Sequence, residues 1–434
     1  MRLRIVFQLL LALLPGLLAA LHAAEHLVSP RGDDAAEGSR RRPWKTLRRA
    51  CQDLKPGDTV VALPGEYHEA LAIAASGSRE GGSITLRGEP GAVISGAGIK
   101  TQNLVLIENR SYIRFSGFEL RGLAGVHDGS GIRVTGHGSH IELRGNRIHD
   151  IRGKDAMGIT IYGTDPARPL ENVVVDGNEI FDCDPAKSEA LTLNGNVTGF
   201  RVTNNQVHDV NNIGIDLIGG ERDICPDRDK VVRDGVCEGN KAWRCRSSYG
   251  DGYAAGIYVD GGRNIVVENN TVTECDLGLE VGAENKAAVA RGIVVRHNLL
   301  FHNDKAGLVF GGFEKSAGRV EGCRFLDNIC CDNNRHSSDQ NGELWIQHAS
   351  DNEVSGNTFI TGLDTPLVQV DEGGTKGNTF HHNRYHGKEG EADALFLWLD
   401  QDVNGFAAWQ QVSGQDKDSV FGPVEVRLPV LGKR

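Results

Sequence analysis

Alternating apolar residues lead into an asparagine again and again along this 434-residue chain. The motif reads IELRGNRI around Asn146, VVVDGNEI around Asn178 and RVTNNQV around Asn205. It recurs around Asn240, Asn270, Asn298, Asn328 and Asn357, and fades at FHHNRY around Asn383. Neighbouring asparagines stand 26 to 35 residues apart. A near-constant period of this size with strand-like alternation specifies a solenoid, in which each repeat buries its apolar face only against its neighbours. Each repeat carries three short strand signals, so the expected fold is an all-β, parallel β-helix. The asparagines, held at one corner, would stack as a ladder of side-chain amides and are read as structural. Gly is frequent, at 56 residues, as the many tight turns require.

Around this array the ends behave as caps. Residues 1–24 pair Arg2 and Arg4 with an apolar run and the small residues Ala20, Ala23 and Ala24. This is the pattern of a secretory signal peptide, so the expected location is secreted or periplasmic, without stable membrane insertion once the signal is removed. Residues 25–100 form an N-terminal cap and the first coils, with WKTLRRACQDL as an amphipathic helix over the first coil. The repeats occupy 101–386. In 387–434, Phe406 and Trp409 close the far end, followed by a polar tail near Lys417 and a short strand VEVRL. A monomer is expected. The net charge of −11 and the lack of a basic stripe argue against nucleic acid as a partner.

The cysteines number nine, an odd count. Cys183, Cys245 and Cys275 each fall five residues after a ladder asparagine, in the column of Ile151 and Val210, and Cys237, Cys323 and Cys330 also occupy inward columns. They read as core thiols. Cys245 and Cys275, one coil apart, are placed to bond in an oxidising compartment. No cysteine or histidine pair has zinc spacing. His149 and His208, at equivalent repeat positions, read as turn residues.

The third strand of each coil is the most regular: GIRVTG from Gly131, GITIYG from Gly158, ALTLNG from Ala190, GIDLIGG from Gly214, GIYVDGG from Gly256 and GLEVGAE from Gly278. Positions two and four are apolar and point inward; three and five face outward. Stacking the outward positions puts Asp216, Asp260 and Glu280 on three consecutive coils of one face, with Glu221 and Glu284 at its edge. Like charges on adjacent exposed strands repel, so their grouping suggests a ligand. With coils about 4.8 Å apart and alternate residues about 6.6 Å apart, Asp216 to Asp260 and Asp260 to Glu280 are each roughly 8 Å between backbones. That spacing suits the acid and base of an inverting glycosidase. It equally suits oxygen ligands for Ca²⁺ from Asp216, Asp260, Glu280 and Glu284. Tyr258, Tyr162 and Trp345 offer flat faces to sugar rings; Glu343, Arg291 and His348 are further candidates. Lys286 and Lys305 are the nearby bases that a metal-assisted lyase would need. The insert around Cys225 reads as a cleft wall.

The run SPRGDDAAEGSRRRPWKTLRRACQDLKPGDTVVALPGEY, together with the asparagine ladder, resembles the N-terminal region of secreted right-handed parallel β-helix proteins, the pectate-lyase-like polysaccharide-active superfamily. The resemblance covers nearly the whole chain after the signal. It implies a carbohydrate-active enzyme with a polysaccharide substrate. The ordered Asn-Thr-Asp, Asp-Asp, Gly-His-Gly and Arg-Ile-Lys pattern of polygalacturonases and a complete calcium-binding aspartate quartet are absent. Three activities stay open: a lyase on a uronic-acid-containing glycan, an inverting glycoside hydrolase, and a non-catalytic glycan-binding surface protein.

Overall fold

The computed structural model describes residues 23–286, 288–312, 314, 316–336, 341–373 and 375–432. The signal pattern therefore lies outside the described residues, apart from its last two. No described helix is long and apolar enough to cross a membrane.

The chain winds into a right-handed parallel β-helix. One face is a sheet of 17 strands, and each strand pairs in parallel with its counterpart one coil away. The second and third strands of each coil form the remaining surface. They merge into single bent strands at Glu119–Thr135 and Arg147–Gly163. Inside lies one continuous apolar column, from Val28 and Trp44 through Ile148, Leu193, Val259 and Phe310 to Tyr385 and Trp409.

The expected ladder is present at the corner between the first two strands. In each coil the asparagine Oδ1 accepts the backbone N–H and the side-chain amide of the preceding asparagine. For Asn240 these contacts come from Asn205 at 2.9 and 3.0 Å. Its own N–H and Nδ2 donate to Asn270 at 2.8 and 3.0 Å, and Nδ2 also reaches the Val202 carbonyl at 2.9 Å. The ladder runs from Asn146 to Asn383 and ends on Asp416 and Ser419. All its members are buried, so each amide replaces water for backbone groups that the corner leaves unpaired. A shorter ladder, Asn303 to Asn333, ends on the carboxyl of Glu343. Glu343 is fully buried there and ties two coils together; it is not a substrate contact.

The caps differ in detail from the sequence expectation. The N-terminal helix is a single turn, α1, Leu47–Ala50. Glu69 takes the N–H groups of Leu47 and Arg48, and Asp34 those of Lys45 and Thr46. These side chains accept N–H groups that the start of any helix leaves without an intrahelical carbonyl. At the far end, α2, Phe406–Ser413, buries Phe406 and Trp409. The buried Asp416 accepts from Trp409 Nε1, Tyr385 and Asn383. VEVRL is extended but joins no ladder. Val424, Val426 and Leu428 instead pack on a small outer apolar cluster of Phe301, Cys331 and Ile360. All nine cysteines are buried free thiols; Cys245 and Cys275 are neighbours that share a hydrogen bond. His149 and His208 lie on strands rather than turns. Their rings stack with Phe181 and Trp243 in one outer column, at centroid distances of 4.6, 5.1 and 4.1 Å.

Asn240→Ala would strand two donors of Asn205 and the Val202 carbonyl in the dry corner, while the backbone N–H at 240 keeps its bond to Asn270 Oδ1. At about 1–3 kcal/mol per orphaned buried group, the variant is expected to lose about 3 kcal/mol or more in urea unfolding. Loss of only a few tenths would contradict a structural ladder.

Candidate functional site

The third strands set the site. Their observed register aligns Thr160, Thr192, Asp216, Tyr258, Glu280, Val309 and Trp345 as successive partners. Asp260 pairs with Gly282, which puts it on the coil between Asp216 and Glu280. The three acids thus share one face on consecutive coils, as the alternation predicts. Asp216 and Asp260 are only 2% and 4% exposed; Glu280 is half-buried.

Sequence reasoning missed a second outward column. Position one of these strands points into a tight inner corner. A Cβ on Gly256 would lie 2.3 Å from Val272 Cγ1, and one on Gly158 would lie 2.4 Å from Ile180 Cγ2. With positions one and two both inside, the alternation shifts phase and the residue just before the glycine faces outward. That column holds Glu189, Ile213, Ala255, Leu277 and Ala306. The last four pack with Tyr258, Val309 and Trp345 as an apolar patch outside the core. The signal in the sequence was the glycine at position one, next to apolar residues that strict alternation does not explain.

These residues floor a cleft of about 520 Å³ lined by Tyr253, Tyr258, Leu277, Glu280, Glu284, Val309, Trp345 and Gln347. Trp345 is oriented by a bond from Nε1 to Asp371, 3.1 Å, and its ring lies 6.4 Å from that of Tyr253. The loop carrying Tyr249 and Tyr253 forms one wall. The insert around Cys225 touches the Asn194 coil: Glu221 accepts from Asn194 Nδ2 at 2.7 Å, and Cys225 is buried. Tyr162 stands at the Asn194 end, beneath Arg133.

Six carboxyls crowd this face, and their charges shape one another. Burial raises Glu189 to about 8, and the charges of Glu221, Asp260 and Glu284 add to it. Burial also raises Asp216 strongly, with Glu189, Asp260 and Glu284 as charged neighbours. Glu280 is raised by burial, then by Glu284 and Asp260, and nothing opposes the shift. Asp260 is raised by burial and by the Glu284 charge, but it accepts the Glu284 N–H at 2.7 Å, which favours its anion. Glu284, whose edge reaches solvent, is raised by burial and by Glu221, and the Tyr258 hydroxyl opposes this. No cation appears among the charges acting on Glu280, Asp260 or Glu284.

Several expected residues stand elsewhere. Arg291 is on the first-strand face, exposed and paired with Glu321 at 2.8 Å; nearness in sequence to Glu284 did not carry around the coil. Lys286 lies in a side pocket with Gly220 and Arg228 rather than in the cleft. Lys305 borders the cleft, its Nζ 4.1 Å over the Tyr253 ring. His348 packs its ring on Gly373. The calcium expectation lacks a ready donor set: among the described residues no three His, Cys, Asp or Glu side chains converge as metal ligands.

Fold and site together define a parallel β-helix protein with an acid-rich, aromatic-walled cleft on its third-strand face. The chain belongs to the family of the "Uncharacterized protein YwoF" of Bacillus subtilis (strain 168), with 33% identity over 411 residues covering 91% of this chain and 86% of that one. The model described as "Protein of unknown function (DUF1565)" matches residues 30–240. Among solved structures, the native GH136 lacto-N-biosidase from Eubacterium ramulus is similar with a TM-score of 0.65 at 16% identity, over 84% of this chain and 68% of that one. XylC in complex with xylose gives 0.55 at 12% identity, over 92% and 86%. The Dettilon tailspike protein gives 0.54 at 13%, over 85% and 63%. At such identities the likeness is one of fold.

An acid raised in the folded state holds its proton more tightly there than in the unfolded chain. Its stabilisation is complete below the unfolded carboxyl value of about 4 and is lost as pH rises through the folded value. Melting temperature should therefore fall between about pH 5 and pH 9. The double variant Glu189→Gln with Asp216→Asn should flatten that fall; an unchanged slope would show that these acids do not carry it.

Proposed function

We propose that the protein is a carbohydrate-active enzyme that hydrolyses a glycosidic bond with inversion, outside the cytoplasm. The observation that carries this reading is the contrast between two acids on neighbouring coils. Glu280 lines the cleft, and every influence on it raises its affinity for a proton; it is suited to donate one to a leaving oxygen. Asp260 is also raised, by burial and by the Glu284 charge, but unlike Glu280 it receives a backbone N–H that supports its anion; of the two it is the better placed to take a proton from water. Paired titratable groups with divergent environments mark acid and base roles. Their coil offset, roughly 8 Å between backbones, leaves room for the attacking water. Tyr253, Tyr258 and Trp345 give a sugar ring the apolar faces it stacks on. Two structural neighbours are named as a lacto-N-biosidase and as a complex with xylose, which agrees with a sugar in such a cleft. An extracellular or periplasmic location rests on the pattern of residues 1–24.

The uronate lyase reading is less well supported. A uronate would meet six carboxyls, Lys286 is outside the cleft, and the acids do not form a calcium cage. The two reactions differ in product. With a panel of polysaccharides, hydrolysis yields new reducing ends without an unsaturated, ultraviolet-absorbing sugar, and survives chelator. Glu280→Gln and Asp260→Asn should each lower kcat by about 10²-fold or more while the circular dichroism spectrum is kept. An unsaturated product, or activity abolished by chelator, would replace this reading with the lyase. Absence of product from every glycan, with binding intact in both variants, would replace it with a binding protein.

A further inference from the structure

The hydrolytic reading uses two of the six carboxyls. Of the other four, Glu189, Asp216 and Glu221 lie toward the Asn194 end, where two buried acceptors lack donors. Asp216 Oδ1 has no hydrogen-bond partner, although the residue is 2% exposed. On the preceding coil Asn194, also 2% exposed, gives its Nδ2 to Glu221 and leaves its own Oδ1 unpartnered. A buried acceptor without a donor is costly, and beside these two the Thr192 hydroxyl is the donor at hand, while no cation acts on Glu189 or Asp216. The cations at the rim are engaged with rings or acids: Lys187 over Tyr249 at 5.3 Å, Lys305 over Tyr253 at 4.1 Å, and Arg133 with Asp128 at 2.7 Å. Among the described residues no three His, Cys, Asp or Glu side chains gather as metal ligands. An ammonium on a sugar ring supplies three donors and a charge, and the half-buried Ile213 of the adjoining outward column offers the ring an apolar contact.

We infer that the pocket formed by Asp216, Asn194, Glu189 and Glu221 is a subsite for the free amine of a 2-amino-2-deoxy sugar, so that the substrate is a cationic, at least partly deacetylated amino-sugar polymer. This rests on the hydrolytic reading for where cleavage occurs, but not for the binding itself.

The test is calorimetric binding to the Glu280→Gln protein, which keeps the subsite intact. The probes are short α- and β-linked oligomers of glucosamine and galactosamine, each with free amines or fully N-acetylated, together with oligogalacturonate and calcium alone. At least one free-amine oligomer should bind tenfold or more tighter than its acetylated counterpart at low salt. The preference should shrink as salt screens the charges, and Asp216→Asn should cut it to less than threefold. No preference for the amine, tighter binding of an acetylated or uronate oligomer, or displacement of the amine by stoichiometric calcium would each overturn the inference. Amine-selective binding without cleavage by the wild-type protein would leave the subsite standing and remove only the hydrolytic reading. Cleavage of a neutral glycan without amine preference would do the reverse.

Discussion

The amide stack at one corner of the coil is the interaction on which everything else depends. Parallel strands are joined by bends whose backbone groups cannot all pair with one another, and in a dry interior such groups are costly. Each asparagine answers that cost at one point. Its Oδ1 takes two donors from one neighbouring coil, its N–H and side-chain amide donate to the other, and the amide also reaches back to a carbonyl of the first. Because both directions are used, each coil is fixed against the next, and a slip by one residue would turn every apolar side chain outward. Register is thus a property of the corner, and the opposite face inherits it.

That inheritance places the acids. Asp216, Asp260 and Glu280 are far apart along the chain but become neighbours because the ladder holds their coils in phase. The site is also where local rules are broken. Six carboxyls share a face with few free cations, Asp216 and Asp260 are almost wholly buried, and two acceptors lack donors. A rigid array of coils tolerates such a cluster because the strain falls on side chains of a backbone that is already overdetermined. Departures of this kind are expected where a protein has been shaped around a ligand.

What was legible in the sequence follows from what is periodic. The asparagine column and the outward positions of the third strand repeat with a fixed period, so stacking them on paper reproduces the observed partners from Arg133 to Trp345. What was hidden follows from breaks in the period. The glycine at position one puts two consecutive residues inside, and this brought Glu189 and the floor of Ile213 and Ala255 to the surface beyond the reach of simple alternation. Glu343 was misread because an outward-looking acid at a strand start is also what terminates a second, shorter ladder. Arg291 was misread because a few residues carry the chain around a corner to another face. The short α1 turn reflects partners from distant segments, Glu69 and Asp34, which no local pattern reveals.

The most direct test of the account is a crystal structure of the Asp260→Asn protein with a bound oligosaccharide. The account predicts sugar rings along the third-strand face, one stacked between Tyr253 and Trp345, with the scissile oxygen beside Glu280 and the adjoining ring reaching Asp216. Sugar bound instead on the first-strand face, or along the His149–Trp243 ring column, with the acid cluster left bare, would contradict it.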